Sequence, residues 1–157
     1  MEDKVRGFKP VDITHLKSYK TAKDVIMPLC KTERSAGYDF FAPYNFMVGP
    51  GETVIIWSDV KVYMQPYEVL NLFIRSSVGI KKGVVLANGV GVVDSDYYNN
   101  KSTDGNIGMS LRNTTDSLVE FKKGEGLMQG IFYEFLKSDN CNCTETRKGG
   151  MGSTNEG

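Results

Sequence analysis

The segment Val84-Val85-Leu86-Ala87-Asn88-Gly89-Val90-Gly91-Val92-Val93-Asp94-Ser95-Asp96-Tyr97 sets Asn-Gly between two apolar runs and closes on two carboxylates. Asn88-Gly89 predicts a hairpin with a type I′ turn, because that turn needs positive φ at both central residues. The tip of such a hairpin has free backbone N–H and C=O groups that can read the edge of a planar base, although most such turns only reverse the chain. Asp94 ends the second apolar run, where partial burial and a neighbouring phosphate would strengthen it as a general base. The competing reading makes Asp94 and Asp96 turn residues that close a strand.

Two further segments suit anions. Gly149-Gly150-Met151-Gly152-Ser153-Thr154 offers successive unobstructed N–H groups and two hydroxyls, with Arg147 and Lys148 just before. The Walker spacing is absent, so any polyphosphate would be wrapped rather than held in a P-loop; the alternative is a plain glycine-rich tail. Arg75-Ser76-Ser77 joins a guanidinium to two hydroxyls at a predicted strand end, and an N-cap with a surface arginine would look the same.

The elements that must position these groups read as strands. Apolar runs are short and bounded by Gly, Pro, Asn or Asp, and the chain carries 17 Gly, 8 Tyr and 8 Phe, the pattern of an all-β sandwich or barrel. Strands are expected over Asp24–Cys30, Tyr38–Phe41, Glu52–Val62, Val69–Arg75, Gly83–Leu86, Gly91–Val93, Ile107–Asn113, Ser117–Phe121 and Leu127–Leu136. Ile107, Met109 and Leu111 alternate with small or polar residues and predict one buried face. One short helix is expected over Ser76–Lys82, capped by Ser76 or Ser77 and closed by Gly83. Two polar segments, Tyr98–Asn106 and Thr144–Gly157, are expected to be mobile.

At 157 residues the chain has room for one core. Nineteen basic residues balance nineteen acidic ones, so no global field favours a nucleic acid or an anionic membrane, and any phosphate must be gripped locally. Apolar runs are too short for a membrane span and the charged start lacks a signal-like apolar region, so a cytoplasmic protein is expected. Cys30, Cys141 and Cys143 fit a reducing compartment and inert thiols better than a zinc site completed by His15.

Five segments in order, Ala36-Gly37-Tyr38-Asp39-Phe40-Phe41-Ala42, Arg75-Ser76-Ser77-x-Gly79, Asn88 through Tyr97, Gly124-Glu125-x-x-x-Gln129 and Gly149 through Thr154, resemble the motifs of the trimeric dUTPases. The likeness runs from about residue 25 to the C-terminus, and the start KVRGF looks like members from Gram-positive bacteria and their phages. It implies an all-β, distorted jelly-roll subunit over residues 1–143, a C-terminal arm over 144–157 that closes on the site, and a homotrimer whose three sites are shared between chains. The reaction implied is hydrolysis of dUTP to dUMP and pyrophosphate.

Roles follow residue by residue from the resemblance. Asn88 and the backbone of Gly89, Gly91 and Val93 would recognise uracil and refuse thymine, and Tyr97 would lie under the deoxyribose and refuse ribose. Asp94 would activate the water that attacks the α-phosphorus. Arg75, Ser76, Ser77 and Gln129 would serve the phosphates, and Asp39 would help hold Mg²⁺ through water. Arg147, Gly152, Ser153 and Thr154 would close over the γ-phosphate, with Met151 over the base. Three departures stand out: Met151 replaces a usual phenylalanine, Arg147 lies two residues rather than three before the glycine pair while Asn155 replaces a glycine, and Tyr98–Asn106 is longer than usual by about half a dozen residues. Two alternatives share this architecture: a deaminase acting on dCTP, and a nucleotide-switched regulator that binds a protein such as a repressor, as in phage relatives.

Overall fold

The computed structural model describes residues 3–150. Its strands are β1 (Gly7–Pro10), β2 (Tyr38–Phe41), β3 (Phe46–Val48), β4 (Thr53–Trp57), β5 (Val60–Tyr63), β6 (Glu68–Ile74), β7 (Val84–Leu86), β8 (Gly91–Asp94), β9 (Gly108–Asn113), β10 (Val119–Phe121) and β11 (Gly126–Glu134). All ladders are antiparallel. One sheet runs β2-β11-β6-β8 and another β4-β9-β7, with the pairs β1-β5 and β3-β10 beside them. This is the all-β jelly-roll arrangement, with one helix, α1 (Ser76–Lys82).

The core lies between the sheets, where Phe40, Leu70, Leu72, Met109, Leu111 and Met128 pack together. Ile107, Met109 and Leu111 are buried as their alternation requires. Gly83 ends α1 in the left-handed region, φ +65°, and returns its N–H to Val78. The N-cap position falls on Arg75, which makes no side-chain cap bond, rather than on a serine.

Three expectations about elements change. Asp24–Cys30 is no strand: a 3₁₀ turn covers Ala22–Asp24 and only Leu29 bridges Asp39, since Pro28 has no N–H to extend a ladder. Glu52–Val62 is broken in two by Asp59, a buried residue at φ +56°. Its carboxylate is satisfied by the backbone N–H groups of Lys17, Ser18 and Tyr19 and by the Asn106 amide, which offsets the left-handed cost of about 1–2 kcal/mol. β1 and β3 were unforeseen, each being only three or four residues long and finding its partner far away in sequence.

The third change concerns the turn between β7 and β8. These strands do not pair: β7 joins β9 and β8 joins β6, so the chain crosses from one sheet to the other at Asn88-Gly89. Gly89 has φ +75°, but Asn88 is not among the positive-φ residues, so the turn is not type I′. Gly89 N–H donates to Leu86 C=O at 3.0 Å instead. The strands diverge because Leu70 and Leu72 draw β8 into their sheet, whereas Leu111 draws β7 into the other.

Candidate active site

The divergence of β7 and β8 opens a cleft of about 600 Å³, within the range of small-molecule sites. Ala87, Asn88, Gly91, Val92, Val93, Asp94 and Tyr97 line it from the crossing segment, opposite Ile55, Leu72, Ile107, Gly108 and Ser110. The walls are mostly apolar, with Asn88, Asp94, Ser110 and Arg147 as polar groups. Gly91 is tight by necessity, since a Cβ there would meet the Leu72 side chain at 3.0 Å. Gly89 is exposed at the tip and lines neither this cleft nor the second one described below.

Tyr97 forms the floor and is 7% exposed. Its hydroxyl donates to Asn106 C=O at 2.7 Å, and Thr103 Oγ1 meets the same hydroxyl at 3.3 Å. Burial raises its pKa above the usual phenol value, which keeps it a donor. The Tyr98–Asn106 loop that carries these partners is tied down, contrary to the mobility expected of a polar insert. Asn100 grips Tyr97 C=O at 2.7 Å, Asn106 grips Asp59, and Lys61 reaches Asn99 at 2.7 Å and Asp104 at 2.8 Å.

Asp94 is half exposed at the cleft mouth, and Arg147 lies across it. One guanidinium nitrogen is 2.8 Å from Asp94 Oδ2 while Nε is 2.8 Å from Asp96 Oδ1. Burial disfavours the Arg147 charge, but Asp96 and Asp94 outweigh it and hold its pKa above the ordinary value. Met151, Gly152, Ser153 and Thr154 lie outside the described residues.

A second, smaller cavity of about 240 Å³ gathers Lys31, Ser35, Gly37, Asp39, Arg75, Ser76 and Gln129 from three elements and a turn. Asp39 Oδ1 lies 3.3 Å from Arg75 Nε and Oδ2 lies 3.2 Å from Lys31 Nζ. Two glycines make room here: a Cβ on Gly126 would strike the Arg75 guanidinium, and one on Gly37 the Gln129 amide oxygen. Ser77, also in the first turn of α1, is exposed and lines neither cavity. Lys31 and Ser35 escaped the sequence reading, because both sit before the AGYDF segment in a stretch without periodicity.

Among the described residues no three His, Cys, Asp or Glu side chains are grouped to hold a metal. One carboxylate between two cations is a poor cage for a bare divalent ion. It does fit Mg²⁺ that arrives on phosphate oxygens and keeps its water, the usual habit of that ion.

A mostly apolar nucleoside-sized cleft ending in a carboxylate, and a separate cationic pocket of phosphate size, define a jelly-roll domain built to handle nucleotides. The chain belongs to the dUTPase family, whose model matches residues 23–155. The deoxyuridine 5'-triphosphate nucleotidohydrolase of Lactococcus lactis is 45% identical over 153 residues, covering 96% of this chain and 98% of that protein. The crystal structure of the dUTPase from Streptococcus mutans matches with a TM-score of 0.74 at 40% identity, over 85% of this chain and 99% of that one. The dUTPase from phage phi11 of S. aureus matches with a TM-score of 0.70, over 90% of this chain and 97% of that one; at 18% identity it speaks to the fold alone.

Proposed function

We propose that this chain hydrolyses dUTP to dUMP and pyrophosphate with Asp94 as the general base. The observation that carries this is the placing of Asn88, Asp94 and Tyr97 on one cleft, so that base, reacting phosphate and sugar face three groups suited to them. Asn88 and the backbone of Gly91 and Val93 hold uracil and discriminate against thymine, while Gly89, outside the cleft, shapes the turn that presents them. Tyr97 packs against the deoxyribose, where a 2′-hydroxyl would clash. Asp94 takes a proton from the water that attacks the α-phosphorus in line with departing pyrophosphate. Such a base contributes about 10²- to 10⁴-fold.

Arg75, Ser76 and Gln129 receive the phosphates, with Ser77 beside them, and Asp39 orients Mg²⁺ through its water. When bound, Mg²⁺ neutralises triphosphate charge that would repel the incoming oxygen. The residues 144–157 act as an arm, Arg147 meeting the γ-phosphate together with Gly152, Ser153 and Thr154, while Met151 covers the base. Closure excludes bulk water.

One chain cannot serve one nucleotide. Asp94 pairs with Val69 at the start of β6, whereas Arg75 lies six residues further along, about 20 Å away. The phosphate pocket facing Asp94 therefore belongs to another copy, which supports a homotrimer with shared sites. With zero net charge the chain has no global field to hold nucleic acid or a membrane, and the cytoplasm with its nucleotide pool is the setting this reading proposes. A regulatory protein partner such as a repressor could grip the outer face of the extra loop, where Asn99, Lys101 and Ser102 are exposed. The dCTP-deaminase reading has no observation in its favour.

The test is pyrophosphate release from dUTP beside dTTP, dCTP and UTP, with and without Mg²⁺, for the wild type and Asp94→Asn. The expected result is Mg²⁺-dependent release from dUTP alone, lost in the variant while nucleotide binding persists. Undiminished turnover in Asp94→Asn would remove that residue from its role.

A further inference from the structure

The phosphate pocket contains a cation that none of the five motif segments supplies. Lys31 Nζ sits 3.2 Å from Asp39 Oδ2, on the side of the carboxylate opposite Arg75. Its backbone is delivered there by an ordered turn. Leu29 and Asp39 exchange two backbone hydrogen bonds, of 3.2 and 2.8 Å, and Ser35 N–H donates to Thr32 C=O at 3.1 Å. The Cys30 thiol donates within the same turn, to Thr32 C=O at 3.2 Å and Ser35 C=O at 3.3 Å. The thiol thus has a structural task, and the turn fixes the backbone from which Lys31 reaches the pocket.

The charges in this cavity do not cancel: Lys31 and Arg75 face one carboxylate, Asp39. Around them stand two hydroxyls, from Ser35 and Ser76, and the Gln129 amide. A pocket with one surplus positive charge, hydroxyl donors and no apolar wall suits phosphate oxygens. Lys31 is about half exposed, so its ammonium keeps freedom to leave Asp39 for a stronger anion.

We propose that Lys31 is a further phosphate-binding residue, which grips the pyrophosphate portion of the triphosphate and keeps hold of the released pyrophosphate. Asp39 parks Lys31 and Arg75 apart in the empty pocket and yields both to the phosphates. This rests on the reading of the second cavity as the phosphate site. Lys31 makes the same contact with substrate and with the departing group, so it contributes binding shared by ground and transition states. Its loss raises KM and leaves kcat nearly alone.

The experiment compares wild type, Lys31→Ala and Lys31→Arg as full chains. Calorimetric titration with inorganic pyrophosphate, without and with Mg²⁺, is set beside titration with dUMP and steady-state hydrolysis of dUTP. Lys31→Ala should weaken pyrophosphate and raise the KM for dUTP by about threefold to tenfold, with kcat within about twofold and dUMP affinity unchanged. Lys31→Arg should recover most of the loss. Unaltered pyrophosphate affinity in Lys31→Ala, or equal weakening of dUMP, would overturn the proposal. If the wild type binds pyrophosphate nowhere, the assignment of the second cavity fails instead, and a wild type inert towards dUTP would sink the functional reading itself.

Discussion

Arg147 and Asp94 are ion-paired at 2.8 Å within one chain, so the arginine occupies the carboxylate proposed as the general base. Asp96 takes the guanidinium's other side at 2.8 Å, and Tyr97 lies beneath with its ring centroid 5.9 Å from Cζ. Under the proposed function, nucleotide and Asp94 would compete for one cation.

Arg147→Met should separate the two halves of that competition. Hydrolysis loses a phosphate partner, and kcat/KM for dUTP should fall about tenfold. Affinity for dUMP, which has no γ-phosphate, should hold or improve, because no ion pair need break. A loss of dUMP affinity, measured by titration, would contradict this.

Tyr97→Phe isolates the hydroxyl from the ring. The hydroxyl is spent on Asn106 C=O, so the variant should lose about 1–2 kcal/mol of stability and melt earlier. The ring still floors the cleft, so the preference for dUTP over UTP should persist within about threefold. Collapse of that preference would show that the loop anchor, and not the ring alone, sets sugar selection.

Gly126→Ala probes the phosphate pocket without touching a charge. The new methyl would meet the Arg75 guanidinium, the movable end of a long side chain, so the fold should survive while Arg75 shifts. KM for dUTP should rise several-fold, about 1 kcal/mol, with Tm nearly constant. An unchanged KM would mean that Arg75 does not face the phosphates.

Arg6 and Glu68 supply a pH-dependent element of stability. The Arg6 guanidinium hydrogen-bonds the buried Glu68 carboxylate and holds its pKa below the usual carboxylate range. A lowered folded-state pKa stabilises the protein above the unfolded value, and that contribution is lost as pH falls through the folded one. Arg6→Met should therefore lower the urea midpoint at pH 7. The gap from wild type should narrow below about pH 4, as the wild type loses the same pair. A gap that stayed constant with pH would assign the effect to packing.

Much of the fold was legible because it depends on local chemistry. β2, β6, α1 and β9 lie within a residue or so of their expected ranges. Alternation marked β9, and Gly83 marked the end of α1. Part of the main cleft's lining was equally readable, since Asn88, Asp94 and Tyr97 sit within ten residues. Misreadings came where distant partners decide. Asn88-Gly89 is locally a hairpin signal, but Leu72 and Leu111 pull its two arms into different sheets, which is what creates the cleft. The polar insert looked mobile because its anchors, Asp59 and Lys61, lie some forty residues earlier.

The strand-rich class and the position of the one helix could be read from the chain directly, because both rest on neighbours a few residues apart. That Asn88, Asp94 and Tyr97 line one cavity while Asp39, Arg75 and Gln129 line another emerged from the folded chain. It alone showed that Lys31 joins Arg75 around Asp39, and that Arg147 covers Asp94. Those facts depend on which strands pair and how far apart the sheet carries their ends. Side chains dozens of residues apart meet only after the core has chosen its registers, and no local pattern encodes that choice.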